Sequence, residues 1–139
     1  MHCIDSPMKA SVALRTFPIR GDERGSLIAL EAGFDVPFDV KRVYYIFGTT
    51  EGVARGFHAH RNLKQVLVAV SGKVRIHCEW EGHTEEIWLD SPDKGLHIEG
   101  PVWREMHDFT PDFVLIVLAS EHYDEADYVR DYEEFQKIK

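Results

Sequence analysis

Cysteine is nearly absent from this 139-residue chain: Cys3 and Cys78 stand far apart, with no Cys-x-x-Cys pair. That excludes a disulfide framework and a thiolate zinc site, and it suits a reducing cytoplasm. No 18 apolar residues run together, so no membrane-spanning helix is expected, and the opening MHCIDSPMKASVAL lacks the apolar core of a signal peptide. Positive charge is scarce as well. The 16 Lys and Arg residues face 24 Asp and Glu, a formal charge of -8, which repels nucleic acid and anionic membrane unless basic side chains gather locally. Neither a Gly-x-Gly-x-x-Gly fingerprint nor a P-loop occurs, and there is no internal repeat or low-complexity tract. What remains is ordinary globular composition, 44% hydrophobic and 29% charged. The length allows one well-buried core, so residues 1–139 are expected to form a single domain.

Short apolar runs separated by turn residues mark an all-β chain. SVALRTF leads through GDERG into SLIALEA, KRVYYIF follows PFD, QVLVAV and KVRIHCEW flank Ser71-Gly72, and EGH turns the chain into TEEIWLD. These read as hairpins. LHI, VWREMHDF and FVLIVLAS follow. About ten short strands are too many for one open sheet, which points to a sandwich or barrel. Only EHYDEADYVRDYEEFQKIK differs: Tyr128, Tyr132 and Phe135 have helical spacing, and its closing lysines suit a helix C-terminus, so a short C-terminal helix is expected.

Within RGFHAHRNLKQ, His58 and His60 occupy positions i and i+2 of a strand and share one face, while Phe57 and Ala59 point the other way. The spacing from Gly52 through His58, His60 and Gln65 to Gly72 resembles the first cupin motif, with Gln65 where a glutamate ligand normally stands. Gly95 and Pro101 keep the interval of the second motif, whose histidine position holds Met106; the adjacent His107 projects to the opposite face. Two imidazoles without a carboxylate or a third imidazole make a poor site for a first-row metal. No metal and no cofactor are therefore expected. Imidazole titrates near neutrality, and proton transfer is the chemistry that remains.

RVYYIF, RGFHAH, QVLV, the KGL before GPVWREMHDF, and above all VLASEHYDEADYVRDY resemble the sugar 3,4-ketoisomerases from Phe17 to Phe135. The resemblance implies a metal-free cupin jelly-roll barrel and a homodimer with exchanged strands. It also implies a dTDP-linked 4-keto-6-deoxyhexose as substrate, whose ketone moves from carbon 4 to carbon 3 in deoxysugar biosynthesis for a lipopolysaccharide or S-layer glycan. His58 and His60 carry over as the proton-transferring pair. Alternation in KRVYYIF sets Arg42 and Tyr44 on the less apolar face, so both are assigned to the pocket, Tyr44 to share the proton transfer and Arg42 to reach a diphosphate. Arg24 and Arg55 are further candidates for phosphate or sugar contact. Arg104 shares the inward face with Met106 and wants an anionic or strongly polar partner; Gln65 joins the substrate-binding set. Trp80, Trp88 and Trp103 read as core, the acidic residues Glu121, Asp124, Glu125 and Asp127 as a solvated helix face, and His77, His83 and His97 show no ligand spacing.

The family divides by product configuration. Arg24 and Ser26 look like the galacto-forming type, whereas Arg104 stands where the gluco-forming type tends to carry arginine; galacto is the expectation. The rival readings are a sugar-nucleotide 3,5-epimerase, which leaves the ketone at carbon 4, a metal-dependent cupin oxygenase, and a non-catalytic sugar-nucleotide sensor with no use for paired imidazoles.

Overall fold

The computed structural model describes residues 9–138. The MHCIDSPM end of the opening stretch, with Cys3, lies outside the described residues. The strands are β1 (Ser11–Thr16), β2 (Arg20–Asp22), β3 (Gly25–Leu27), β4 (Arg42–Ile46), β5 (Arg55–His60), β6 (Lys64–Ser71), β7 (Val74–Trp80), β8 (His83–Leu89), β9 (Lys94–Glu99), β10 (Trp103–His107), β11 (Val114–Ala119) and β12 (Tyr128–Val129). A 3-10 turn at Glu125–Asp127 precedes β12, and a helix α1 (Tyr132–Gln136) follows it.

Two five-stranded antiparallel sheets form, in the orders β1-β9-β6-β11-β4 and β12-β5-β10-β7-β8, with β2 and β3 as a separate hairpin. Their facing sides share one core: Leu67, Leu96, Ile98, Leu115 and Val117 from the first sheet meet Val74, Ile76, Cys78, Leu89 and Met106 from the second. This is the all-β jelly roll with a short C-terminal helix that the strand count and the resemblance led us to expect. Among the described residues no helix is long and apolar enough to cross a membrane.

Three local expectations need correction. Ser71-Gly72 does not close a hairpin, because β6 pairs with β9 and β11 while β7 pairs with β8 and β10. A turn dipeptide shows that the chain reverses, not which strands will pair. SLIALEA is a strand only to Leu27; Ile28 and Leu30 instead pack with Val36 and Phe38 over Val66, Val68 and Leu118 on the outer side of the first sheet. Burial on that second surface outweighs the local β pattern. In the tail, Tyr128 belongs to β12 rather than to the helix. The helix begins only after Asp131, whose side chain accepts a hydrogen bond from the Glu133 backbone. Its Phe135 packs 5.8 Å from the Trp103 ring over Ala59 and Val129.

Gly72 carries the crossing between sheets at φ +70°, and a Cβ there would lie 2.3 Å from Thr110 Oγ1 and 2.9 Å from Phe113 Cα. The left-handed conformation and the backbone approach both require glycine. Gly72→Ala is expected to destabilise the fold by about 2 kcal/mol. Urea unfolding followed by circular dichroism would then show a lower midpoint at similar slope; an unchanged midpoint would mean that the turn rearranges freely.

Candidate active site

The inward face of β5 carries His58 and His60, with ring centroids 5.0 Å apart and planes at 85°. The pair survives an irregularity. Gly56 and Phe57 both have positive φ, and the register with β10 shifts between Arg104 and Glu105, the signature of a bulge. A Cβ on Gly56 would meet Arg104 O at 2.9 Å, so glycine lets β10 come close beneath the histidines. Phe57 is exposed and Ala59 buried on the other face, as alternation requires.

Among the described residues Arg104 is the most buried Lys, Arg, Asp or Glu, with 3% of its surface exposed. Its Nε donates to Val102 O at 3.0 Å and its Nη1 to Gln65 Oε1, while Nη2 is buried without a protein partner. Gln65, itself buried, donates from Nε2 to the Tyr44 hydroxyl at 3.0 Å. The position that a cupin uses for its carboxylate ligand therefore bridges a guanidinium and a phenol. Arg42 lies over the Tyr44 ring, 5.2 Å from its centre, and its Nε is also buried without a partner. The alternation expected of β4 holds: Arg42, Tyr44 and Ile46 are half-buried, and Val43 and Tyr45 are exposed.

The tail supplies what the sequence reading missed. Pairing of β12 with β5 sets Tyr128 opposite His60, with its ring 4.3 Å from His60 and 5.3 Å from His58. Asp127 Oδ2 accepts from His60 Nδ1 at 3.0 Å, and its Oδ1 accepts from the backbone N–H of Arg61 at 3.1 Å and Asn62 at 2.8 Å. Asp127 is thus a held carboxylate and not part of a solvated helix face. The opening Asp124 does cap the 3-10 turn through Ala126 N, which delivers Asp127 to this position. The Nδ1 contact leaves the His60 Nε2 lone pair as the free face, buried and without a protein partner.

The electrostatics follow from burial around Arg104. Burial pushes His58 down to about 3, with Arg104 and His60 adding to the effect. Burial takes His60 down to about 4, where the Asp127 hydrogen bond resists a further fall. Both imidazoles are neutral at pH 7. Burial raises the Tyr44 phenol above its ordinary value. Burial opposes the charge on Asp127, yet the hydrogen bonds from His60 and the two backbone amides outweigh it and hold the carboxyl below the usual range. A cavity of about 650 Å³ opens here between Arg42, His60, Tyr123, Asp127 and Tyr128.

Arg24 and Arg55 are not brought to this cluster. Arg24 is ion-paired to Asp22 on the exposed β2–β3 hairpin, and Arg55 is exposed at the start of β5. Met106 is buried in the core beside the site. His107 turns outward to Glu105 at 2.8 Å. Among the described residues the buried inner face offers a cation two imidazoles and an amide; Asp127 is already held by His60 and the backbone, and Glu121 and Asp124 stand at the exposed rim of the cavity, so the donor set does not suit a cupin metal.

The chain is 52% identical over 116 residues to the TDP-4-oxo-6-deoxy-alpha-D-glucose-3,4-oxoisomerase of Aneurinibacillus thermoaerophilus, covering 84% of each. It is similar to the crystal structure of a mutant 3,4-ketoisomerase QdtA from Thermoanaerobacterium thermosaccharolyticum in complex with TDP-4-keto-6-deoxyglucose, at 45% identity and a TM-score of 0.87 over 89% of this chain and 90% of that one. It is likewise similar to the WlaRB TDP-quinovose 3,4-ketoisomerase of Campylobacter jejuni, at 48% identity and a TM-score of 0.86 over 89% and 95%. The family model described as FdtA: WxcM-like, C-terminal matches residues 10–139, and the chain belongs to that family.

Proposed function

We propose that the protein is a sugar-nucleotide 3,4-ketoisomerase acting on dTDP-4-keto-6-deoxyglucose. The observation that carries the reading is a pair of neutral imidazoles, one oriented by a carboxylate, beside a buried guanidinium with an unused donor. The reaction moves hydrogen and needs no external oxidant. The proton on carbon 3 is acidic because the ketone at carbon 4 accepts the resulting charge. His60 Nε2 removes it, and Asp127 stabilises the imidazolium that forms. Charge on the carbon 4 oxygen is met by the buried donors of Arg104, with the Tyr44 hydroxyl held through Gln65. The carbon 4 oxygen takes the proton back from the His60 imidazolium to give the enediol; neutral His58 then accepts the carbon 3 hydroxyl proton as that oxygen becomes the new ketone, and delivers it to carbon 4. Negative charge on the substrate offsets Arg104 and raises both imidazoles toward useful values.

Arg42 faces the diphosphate in this reading, and Tyr128 packs against both histidine rings. Arg24 and Arg55 remain candidate substrate contacts on residue type alone, as exposed guanidinium groups able to meet phosphate oxygens. Arg24 and Ser26 support the galacto configuration at carbon 4 of the product, with Arg104 the feature that counts the other way. The free, buried Cys78 thiol, pushed up to about 12 by burial, suits a cytoplasmic enzyme. A homodimer with exchanged strands is supported by β4, an edge strand whose outer side chains Val43 and Tyr45 are 53% and 63% exposed, with Phe47 just beyond at 69%. Light scattering should give twice the chain mass of 16.0 kDa; a monomer at working concentration removes this element.

The decisive experiment follows dTDP-4-keto-6-deoxyglucose by NMR in deuterated water. A 3-keto product deuterated at carbon 4 is expected, with the small coupling between hydrogens 4 and 5 of a galacto sugar in product made in ordinary water. A ketone that stays at carbon 4 would support the epimerase instead. His58→Asn and His60→Asn should each lower turnover roughly a hundredfold to ten-thousandfold. The His58 variant should still exchange the carbon 3 hydrogen and the His60 variant should not; near-normal turnover in both, with intact folds, would remove the pair from the mechanism.

The pH profile separates this site from an exposed histidine base. His60 works in its neutral form and protonates near 4 in the free enzyme, so lowering the pH stops catalysis only there. We expect kcat/KM to stay level below the ordinary histidine value of 6.5 and to fall as pH drops through about 4. An acid limb centred at 6.5 would show that the base is not this buried imidazole.

A further inference from the structure

On the outer side of the second sheet, Glu105 of β10 stands opposite His77 of β7, and His77 stands opposite Glu86 of β8. Glu79 lies two residues along β7 on the same face. The residues between them in sequence, Cys78 and Arg104, are buried on the inner side, so this cluster and the paired histidines occupy opposite faces of the sheet. One ligand atom each from His77, Glu79 and Glu105 all fall within 4.8 Å of one another. The three side chains are only 19%, 22% and 20% exposed, which sets them apart from freely solvated surface carboxylates.

We propose that His77, Glu79 and Glu105 bind a divalent transition-metal cation, zinc in first place, with water as the fourth ligand. One imidazole nitrogen and two carboxylate oxygens are a donor set zinc accepts. Donor atoms around a tetrahedral zinc lie about 3.4 Å apart, given bonds near 2.1 Å. His77 Nε2 and Glu79 Oε2 are now 2.7 Å apart, and the widest of the three separations is at most 4.8 Å. Movements on the order of 1 Å, within the freedom of half-buried glutamates, bring the set to that geometry.

The surroundings are those of a prepared site. His77 Nδ1 donates to Glu86 Oε2, the carboxylate–histidine arrangement that orients a ligating ring and leaves Nε2 for the metal. The Tyr132 hydroxyl donates to Glu79 Oε1 at 2.5 Å, leaving Oε2 toward His77. Trp103 Nε1 donates to Glu105 Oε2 at 2.9 Å, and His107 Nε2 to Glu105 Oε1 at 2.8 Å. Both ligating carboxylates are thus held by donors of their own. The charge also calls for a cation. Glu79, Glu86, Glu105 and Asp108 crowd a face to which Arg75 brings a guanidinium, bonded to Glu86 and to Asp108 at 2.9 Å. A cation between the three ligands takes the place of the proton that Nε2 shares with Glu79.

The test uses the full chain, stripped with chelator and exchanged into chelator-free buffer. Zinc chloride is titrated by calorimetry, and cobalt(II) by its visible absorption, which reports tetrahedral coordination. One equivalent per chain is expected, with a Kd in the micromolar range or below. His77→Gln and Glu105→Gln should each weaken zinc at least tenfold, and Glu86→Gln about tenfold through the orienting hydrogen bond. The double variant His58→Asn with His60→Asn should bind zinc as the parent does, and circular dichroism checks that each variant is folded. The proposal is overturned if saturable uptake is absent below millimolar zinc, if His77→Gln binds as tightly as the parent, or if the His58 and His60 double variant abolishes binding.

Discussion

A guanidinium sealed inside the barrel with no carboxylate bonded to it is the constraint around which the inner face is arranged. Desolvating Arg104 is costly, and the cost is met by one backbone carbonyl and by the Gln65 amide oxygen rather than by an acid. A carboxylate at position 65 would neutralise the cation and close the site electrostatically. The amide satisfies one donor, leaves the charge standing and passes a hydrogen bond on to Tyr44. That surviving charge helps depress both imidazoles and leaves a donor free for a substrate oxygen.

Against this field the two histidines are not equivalent. His60 is fixed from behind by Asp127, and Asp127 in turn by two backbone amides, so its ring orientation and tautomer are set before substrate arrives. His58 has no such carboxylate; burial beside Arg104 and His60 governs it. Two residues of one type, two apart in a strand, receive distinct roles from what the rest of the chain places behind each.

Strand periodicity made a good part of this legible in sequence. RVYYIF told which side of β4 faces inward, the spacing around His58 and His60 told that the ligand positions hold Gln65 and Met106, and the phase of WREMH turned Arg104 inward. Pairing across the chain was hidden. Asp127 meets His60 over 67 residues, and Tyr128 imitates helical spacing while it is in fact paired in a sheet. Ser71-Gly72 marks a reversal that changes sheets, and Ile28 and Leu30 follow a second apolar surface in place of a strand. His77 has no ligand spacing along the sequence because Glu105 and Glu86 reach it from neighbouring strands. Arg24 and Arg55 were selected by residue type, which carries no information about where an exposed guanidinium ends up.

The order of synthesis gives the His60–Asp127 contact one more meaning. The strands of both sheets, from β1 through β11, precede residue 120, so a growing chain can assemble nearly its whole core while His60 still lacks its carboxylate. The orienting group follows all of these strands in the chain and docks as β12 and α1 close over β5. A chain synthesised only as far as β11 would therefore carry the strands that pack the core but no aligned base, and the reactive arrangement appears only once β12 has paired with β5.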